Sequence, residues 1–215
     1  MRDIRDLEHW ELVAERPLSE FMVEWESITR RTLGEFGRLL ERGRGERAMQ
    51  AFLQCYPVIL IQILRAGISR WAIPQKRLGD KHVTDFVIGE FNSLGYHWYP
   101  VELESPTAKL FTKSGDPSAA LNHAIRQIQD WRSWLTQNLD YARRNRVDGG
   151  LELSKIRPDP KGIIFIGRRN MMTGDTQLRR EQMSHDLQID IHTFDHLYNV
   201  AESWLRSAPN QSFSK

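Results

Sequence analysis

The chain has one cysteine, Cys55, among its 215 residues. An intramolecular disulfide and a cysteine-built zinc site are therefore excluded. Long apolar runs are missing too. The longest, Val58 to Leu64, is interrupted by Gln62 and falls far short of the roughly 20 residues that cross a bilayer. The opening MRDIRDLEHW is charged throughout and lacks the apolar core of a secretory signal. The expectation is a cytoplasmic protein with no membrane partner. Charge of one sign is not in excess, since the formal net charge is +2, too little to argue for nucleic acid by itself. No internal repeat and no low-complexity segment are present. What remains is an ordinary folded-domain composition, 40% hydrophobic and 27% charged, long enough for one full core.

Positive charge is nonetheless grouped: Arg30/Arg31, Arg42/Arg44/Arg47, Arg143/Arg144/Arg146, Arg168/Arg169 and Arg179/Arg180. Such groups line phosphate-binding grooves. They also occur on solvated helix faces.

Apolar spacing predicts a short helix over 3–15 and a stronger one from Ser19, through Phe21, Trp25, Ile28, Phe36, Leu39 and Leu40, to the Gly43–Gly45 break. Residues 1–45 read as a helical extension, its large apolar side chains calling for cover by the main domain or another subunit. A helix opens at Glu46 and stops at Pro57. The run 58–64 fits either a strand or a buried helix. Residues 68–78 read as an irregular strand with Pro74 at an edge or bulge. Ser118 is the N-cap of a long helix to about Tyr141, with Leu121, Ile125, Ile128 and Leu135 as its apolar stripe, widened by Ala124, Trp131 and Trp134. Residues 143–160 read as a surface loop, and Gly162–Gly167 as a fully buried strand. A polar helix to Leu187, a strand over 189–194 and a final helix capped by Asp195 follow. Residues 207–215 form a polar tail.

Between Lys81 and Pro106 two strands are joined by turn residues Asn92, Ser93 and Gly95. Alternation puts Val83, Asp85 and Val87 on one face of the first strand, and Trp98, Glu102 and Glu104 on one face of the second. Paired as a hairpin, the strands bring Asp85 across from Glu102 and Glu104. Three acids this close repel one another unless a cation neutralises them, and a hard divalent ion with oxygen ligands suits them. The other reading makes the two glutamates the solvated face of an edge strand.

The element order from Glu46 is helix, three strands, helix, strand, with acids on the second and third strands. This α/β (α+β) pattern, a mixed β-sheet in αβββαβ order, resembles the PD-(D/E)XK nuclease superfamily. More closely, it resembles the nuclease domain of Shedu-type anti-phage defence proteins. The matching text is Glu46–Pro57 (E-x-x-x-x-F-L-x-x-x-P), Thr84–Ile88, Val101–Pro106, Gln127-x-x-x-Trp131, Gly162–Arg168 and Phe194-Asp195, covering 46–206.

The resemblance implies a metal-dependent DNA endonuclease acting in prokaryotic defence, usually as a homo-oligomer, with Mg²⁺ or Mn²⁺ as cofactor and DNA as partner. It implies Asp85, Glu102 and the Leu103 carbonyl as metal ligands. Gln127 corresponds to a helix glutamine reaching toward metal or phosphate, and Glu46 to a first-helix glutamate contacting a metal through water. On local grounds Gln127 is also an ordinary helix-border residue, and Glu46 a helix-dipole acid. The family usually carries lysine where Glu104 stands. Glu104 would then accept a proton from the attacking water or help hold a second ion. If it does neither, the chain is a degenerate nuclease-fold module that binds DNA or a protein. The histidines and acids His185, Asp186, Asp190, His192, Asp195 and His196 lack ligand spacing on any one element and read as ordinary surface.

Overall fold

A computed structural model of the chain describes residues 17–64, 67–79 and 82–207. The expected helix over 3–15 and most of the expected tail lie outside them. The centre is a five-stranded mixed sheet in the order β1–β4–β5–β6–β7, built from β1 (Ser69–Pro74), β4 (Phe86–Asn92), β5 (Gly95–Leu103), β6 (Gly162–Phe165) and β7 (Ile189–His192). The small strands β2 (Arg77–Leu78) and β3 (His82–Val83) pair apart from it. β1, β4 and β5 form an antiparallel meander, whereas β6 and β7 run parallel to β5. The helix-first, three-strand, helix, strand order expected from the sequence is the order found.

The helices are α1 (Arg30–Glu41), α2 (Glu46–Cys55), the single turn α3 (Pro57–Leu60), α4 (Ala119–Gln137), α5 (Leu139–Arg143), α6 (Gly174–Leu187) and α7 (Phe194–Ser207). Alternation along each strand divides the core in two. On one face Val87, Trp98 and Ile164 meet the apolar stripe of α4, including Leu121, Ile128 and Trp131. On the other, Phe86, Val101, Leu103 and Phe165 meet Phe36, Met49, Leu53, Ile59 and Leu197 from α1, α2, α3 and α7. Each fully buried Leu, Ile or Phe contributes roughly 1.5–3 kcal/mol.

Two glycines set the close packing near the site. Gly89 lies across from Trp98, and a Cβ there would sit 2.5 Å from the indole ring. Gly167, at φ 65°, lets the chain after Glu104 lie against the end of β6, where a Cβ would stand 2.4 Å from the Ala108 carbonyl. Pro100 falls just before the ladder with β6 begins at Val101, where a missing N–H breaks no pairing.

Ser118 caps α4 by accepting from the Leu121 N–H at 3.1 Å, as its sequence position predicts. The helix ends earlier than Tyr141, at Asn138, whose side chain bonds back to the Trp134 carbonyl. The ambiguous run 58–64 is helical, a turn of α3 followed by a 3₁₀ turn. Pro74 closes the edge strand β1.

Four expectations need correction. Residues 19–29 are not helical: they form two 3₁₀ turns, and Thr29 caps a helix that starts only at Arg30. Their apolar spacing serves a different contact. Met22 bridges Trp71, and Val23 N–H donates to the Arg70 carbonyl at 2.9 Å, so this segment shields the open edge of β1. Val83 does not continue the strand of Val87; it belongs to β3, and β4 begins at Phe86. Asp195 lies inside the first turn of α7 rather than capping it, because its carboxylate is taken by Arg168 at 2.9 Å and by the Arg169 N–H. The loop 143–160 also contributes core: Leu153 and Ile156 are buried, and Ser154 accepts the Trp98 indole N–H.

Candidate active site

The hairpin register pairs Phe86 with Val101, so Asp85, one residue earlier, stands opposite Glu102. Asp85 is fixed from several sides. Its carbonyl accepts from the Gln75 N–H at 2.9 Å and from the Gln50 side chain at 3.1 Å. Its Oδ2 accepts from the Leu103 N–H at 2.8 Å. The Glu102 carboxyl shares a further hydrogen bond with it. Gln50 stands on α2 one turn after Glu46, so that helix grips the strand end with one side chain and offers the other to the site.

Glu102 is 3% exposed, and its Oε1 is buried with no hydrogen-bond partner. Burial, then the charge of Asp85 and its hydrogen bond, push the Glu102 pKa up to about 10, with Glu104 and Glu46 adding to the effect. Burial also raises Asp85, against the lowering hydrogen bond from Leu103. Glu104 follows directly on β5, its N–H donating to the Phe165 carbonyl at 2.8 Å. Its Oε1 lies 3.1 Å from Nδ1 of His123. Burial raises the Glu104 pKa, the His123 hydrogen bond lowers it, and Asp85 raises it again. At the mouth, Glu46 in the first turn of α2 is raised by partial burial and then by Asp85 and Glu104.

The structure thus brings Glu46, Asp85, Glu102 and Glu104 into one electrostatic group, with the Leu103 backbone inside it. Gln127 is half-buried on α4, one turn beyond His123, and makes no hydrogen bond to the acids among the described residues. His123 and Gln50 were not anticipated. The only signal for each is an i, i+4 spacing, from His123 to Gln127 and from Glu46 to Gln50, that sets two polar side chains on one helix face. Trp98 and Trp131 are core residues at 4% and 1% exposure.

The later acids and histidines are divided among separate partners. His185 pairs with Asp186, Asp190 with Lys161, Asp195 with Arg168, and the rings of His192 and His196 stack 4.2 Å apart. His192 departs from the surface reading, since burial holds its pKa down at about 3.

Among the described residues, no three His, Cys, Asp or Glu side chains close on one point as metal ligands. A magnesium ion does not require that, because it usually keeps several waters and takes one or two carboxylates. Asp85 and Glu102 supply such a pair. The unpartnered buried Oε1 of Glu102 and the raised pKa values fit a set of hard oxygen donors awaiting a cation.

Comparison with known families finds that the model described as "Shedu protein SduA, C-terminal" matches residues 44–198, most of the chain. Among solved structures, the chain is similar to one of the restriction endonuclease FokI, at 11% identity and a TM-score of 0.42, covering 98% of this chain and 32% of that one. It thus spans about a third of the FokI chain. No curated protein matches.

Proposed function

The chain belongs to the Shedu family, and on that premise we propose that it is a metal-dependent DNA endonuclease acting in defence against phage. The supporting observation is the facing pair Asp85 and Glu102, crowded together at the end of β5 with a buried carboxylate oxygen left unpartnered.

In this reading, residues 46–206 are the nuclease unit and the described residues 17–45 an arm laid upon it. Asp85, Glu102 and the Leu103 carbonyl would hold Mg²⁺ or Mn²⁺, and Glu46 would steady the ion's water shell from the mouth. The bound ion lowers the pKa of its water and stabilises charge on the phosphoryl oxygens. The Leu103 N–H holds the Asp85 carboxylate in one orientation, so the ligand pair is preorganised. Glu104 stands where a lysine is usual, and His123 supplies the nitrogen that the strand lacks. The two act as a pair: Glu104 orients the imidazole, and the pair takes the proton leaving the attacking water. Gln127, on the same side of α4, contacts the phosphate.

Lys109, Lys113 and Arg179 line a cavity of about 490 Å³ on the loop that follows Glu104. Backbone phosphates of the substrate would be drawn there. The family further suggests that copies of the chain assemble. The test is cleavage of plasmid DNA by the purified chain with Mg²⁺ or Mn²⁺, beside an Asp85→Ala control. Metal-dependent cutting by the parent alone is expected. Cutting by both, or by neither under any divalent ion, would overturn the assignment.

A further inference from the structure

β5, β6 and β7 run parallel and end on one rim of the sheet, with Leu103, Phe165 and His192 in register. In open α/β sheets ligands gather outside such carboxyl ends. The acids emerge where β5 ends. Two strands along, roughly 10 Å at the usual spacing, lies a second cavity of about 600 Å³ whose lining includes Arg169, Gln177, Arg180, His192, His196 and the start of α6 at Gly174.

The ionic side chains lining this cavity are all basic, and the carboxylates that act on them lie outside its lining. Burial first, and then the neighbouring Arg169, hold the Arg180 pKa down against the opposing effects of Glu181 and Asp190; burial, His196 and Arg180 together hold His192 down against Asp190. Of the nearby carboxylates, two are engaged elsewhere and one forms a long ion pair with Arg180. Asp195 is bound by Arg168, Asp190 pairs with Lys161, and Glu181 lies 3.8 Å from Arg180 and is mostly exposed. Arg180 donates through Nη1 to the Ile191 carbonyl, while its Nε is buried with no partner. No carboxylate among the described residues bonds the Arg169 guanidinium. The positive end of the α6 dipole adds to the same field.

We propose that this cavity between the end of β7, α6 and α7 binds a phosphate group. Two arginines and a half-buried histidine line one cavity, Arg180 meets only the mostly exposed Glu181 at 3.8 Å, and a tetrahedral anion with several acceptor oxygens suits the donors left over. Two sources offer that group: a backbone phosphate of a strand lying along the rim toward the carboxylates, or a free phosphate-bearing small molecule. The first rests on the nuclease reading; the second does not.

The test uses the full chain in EDTA, so neither metal nor cleavage enters. Inorganic phosphate is titrated while the His192 ring and Gly174 amide resonances are followed by NMR. A saturable shift is expected in the parent. It should weaken at least tenfold in Arg169→Ala, whose exposed side chain leaves the fold intact, and in Arg180→Lys, which keeps the charge and loses the planar fork. No saturable shift, or one equal in parent and Arg169→Ala, overturns the proposal. A second arm measures DNA binding by anisotropy against salt. If the source is a strand, Arg169→Ala lowers affinity and reduces the salt slope by about one. Phosphate binding with DNA affinity and slope unchanged assigns the pocket to a free phosphate compound.

Discussion

Glu102→Gln should stabilise the metal-free protein at neutral pH. In the fold, Glu102 holds its proton up to about pH 10 because of burial and the Asp85 charge, against an ordinary glutamate value of 4.5. An unfolded chain at pH 7 has lost that proton, so folding must take it up again. The gap between 4.5 and 7, at about 1.4 kcal/mol per pH unit, makes this cost roughly 3 kcal/mol. Glutamine has no proton to recover, and its amide N–H can donate to Asp85 in place of the carboxyl O–H. For a chain of this size the gain corresponds to a rise in Tm of about 6–12 °C. The sign follows from linkage. A raised folded pKa gives stability that is complete below 4.5 and declines as pH rises toward 10. The variant's advantage should therefore vanish near pH 4.5 and grow through neutrality. Calorimetry in EDTA from pH 5 to pH 9 measures it. Saturating Mg²⁺ should raise the parent's Tm and leave the variant's nearly unmoved. A variant no more stable than the parent at pH 7, or an advantage independent of pH, refutes the strain assigned to this pair.

Other outcomes follow from the same geometry. Glu104→Ala should lose both divalent-ion affinity and cleavage, and Glu104→Lys should keep part of the cleavage; calorimetric titration with a plasmid assay distinguishes them, and a Glu104→Ala protein that cuts like its parent reduces that residue to a strand position. His123→Ala should cut at least tenfold more slowly with a changed pH–rate profile while its Tm moves little, since the imidazole is half exposed. Gly89→Ala should cost about 1–3 kcal/mol by chemical denaturation, because the new methyl meets the Trp98 ring at 2.5 Å.

Much of this arrangement was legible from period-two alternation. A turn at Asn92–Gly95 fixes the hairpin, and two-residue spacing then aligns Asp85 with Glu102 and keeps Glu104 on the same face. The buried strand between Gly162 and Gly167, and the Ser118 cap, carry equally local signals. What was not legible depends on how elements cross. His123 reaches Glu104 only because α4 lies over that face of the sheet, and Gln50 reaches Asp85 only because α2 abuts the strand end. Residues 19–29 misled for the opposite reason: their three- and four-residue apolar steps suit a helix, but the open edge of β1 and the Trp25–Trp204 contact use those side chains in extended and 3₁₀ backbone. Asp195 has the composition of a cap, yet Arg168 competes for its carboxylate and wins.

The central claim is that Asp85 and Glu102 hold a catalytic divalent ion. Anomalous diffraction from crystals grown with Mn²⁺ tests it directly. The account predicts a peak about 2.1 Å from one carboxylate oxygen of each residue, absent when Asp85 is replaced by alanine. Empty density between two ordered carboxylates under saturating Mn²⁺ would contradict it, and leave the fold as a binding module without turnover.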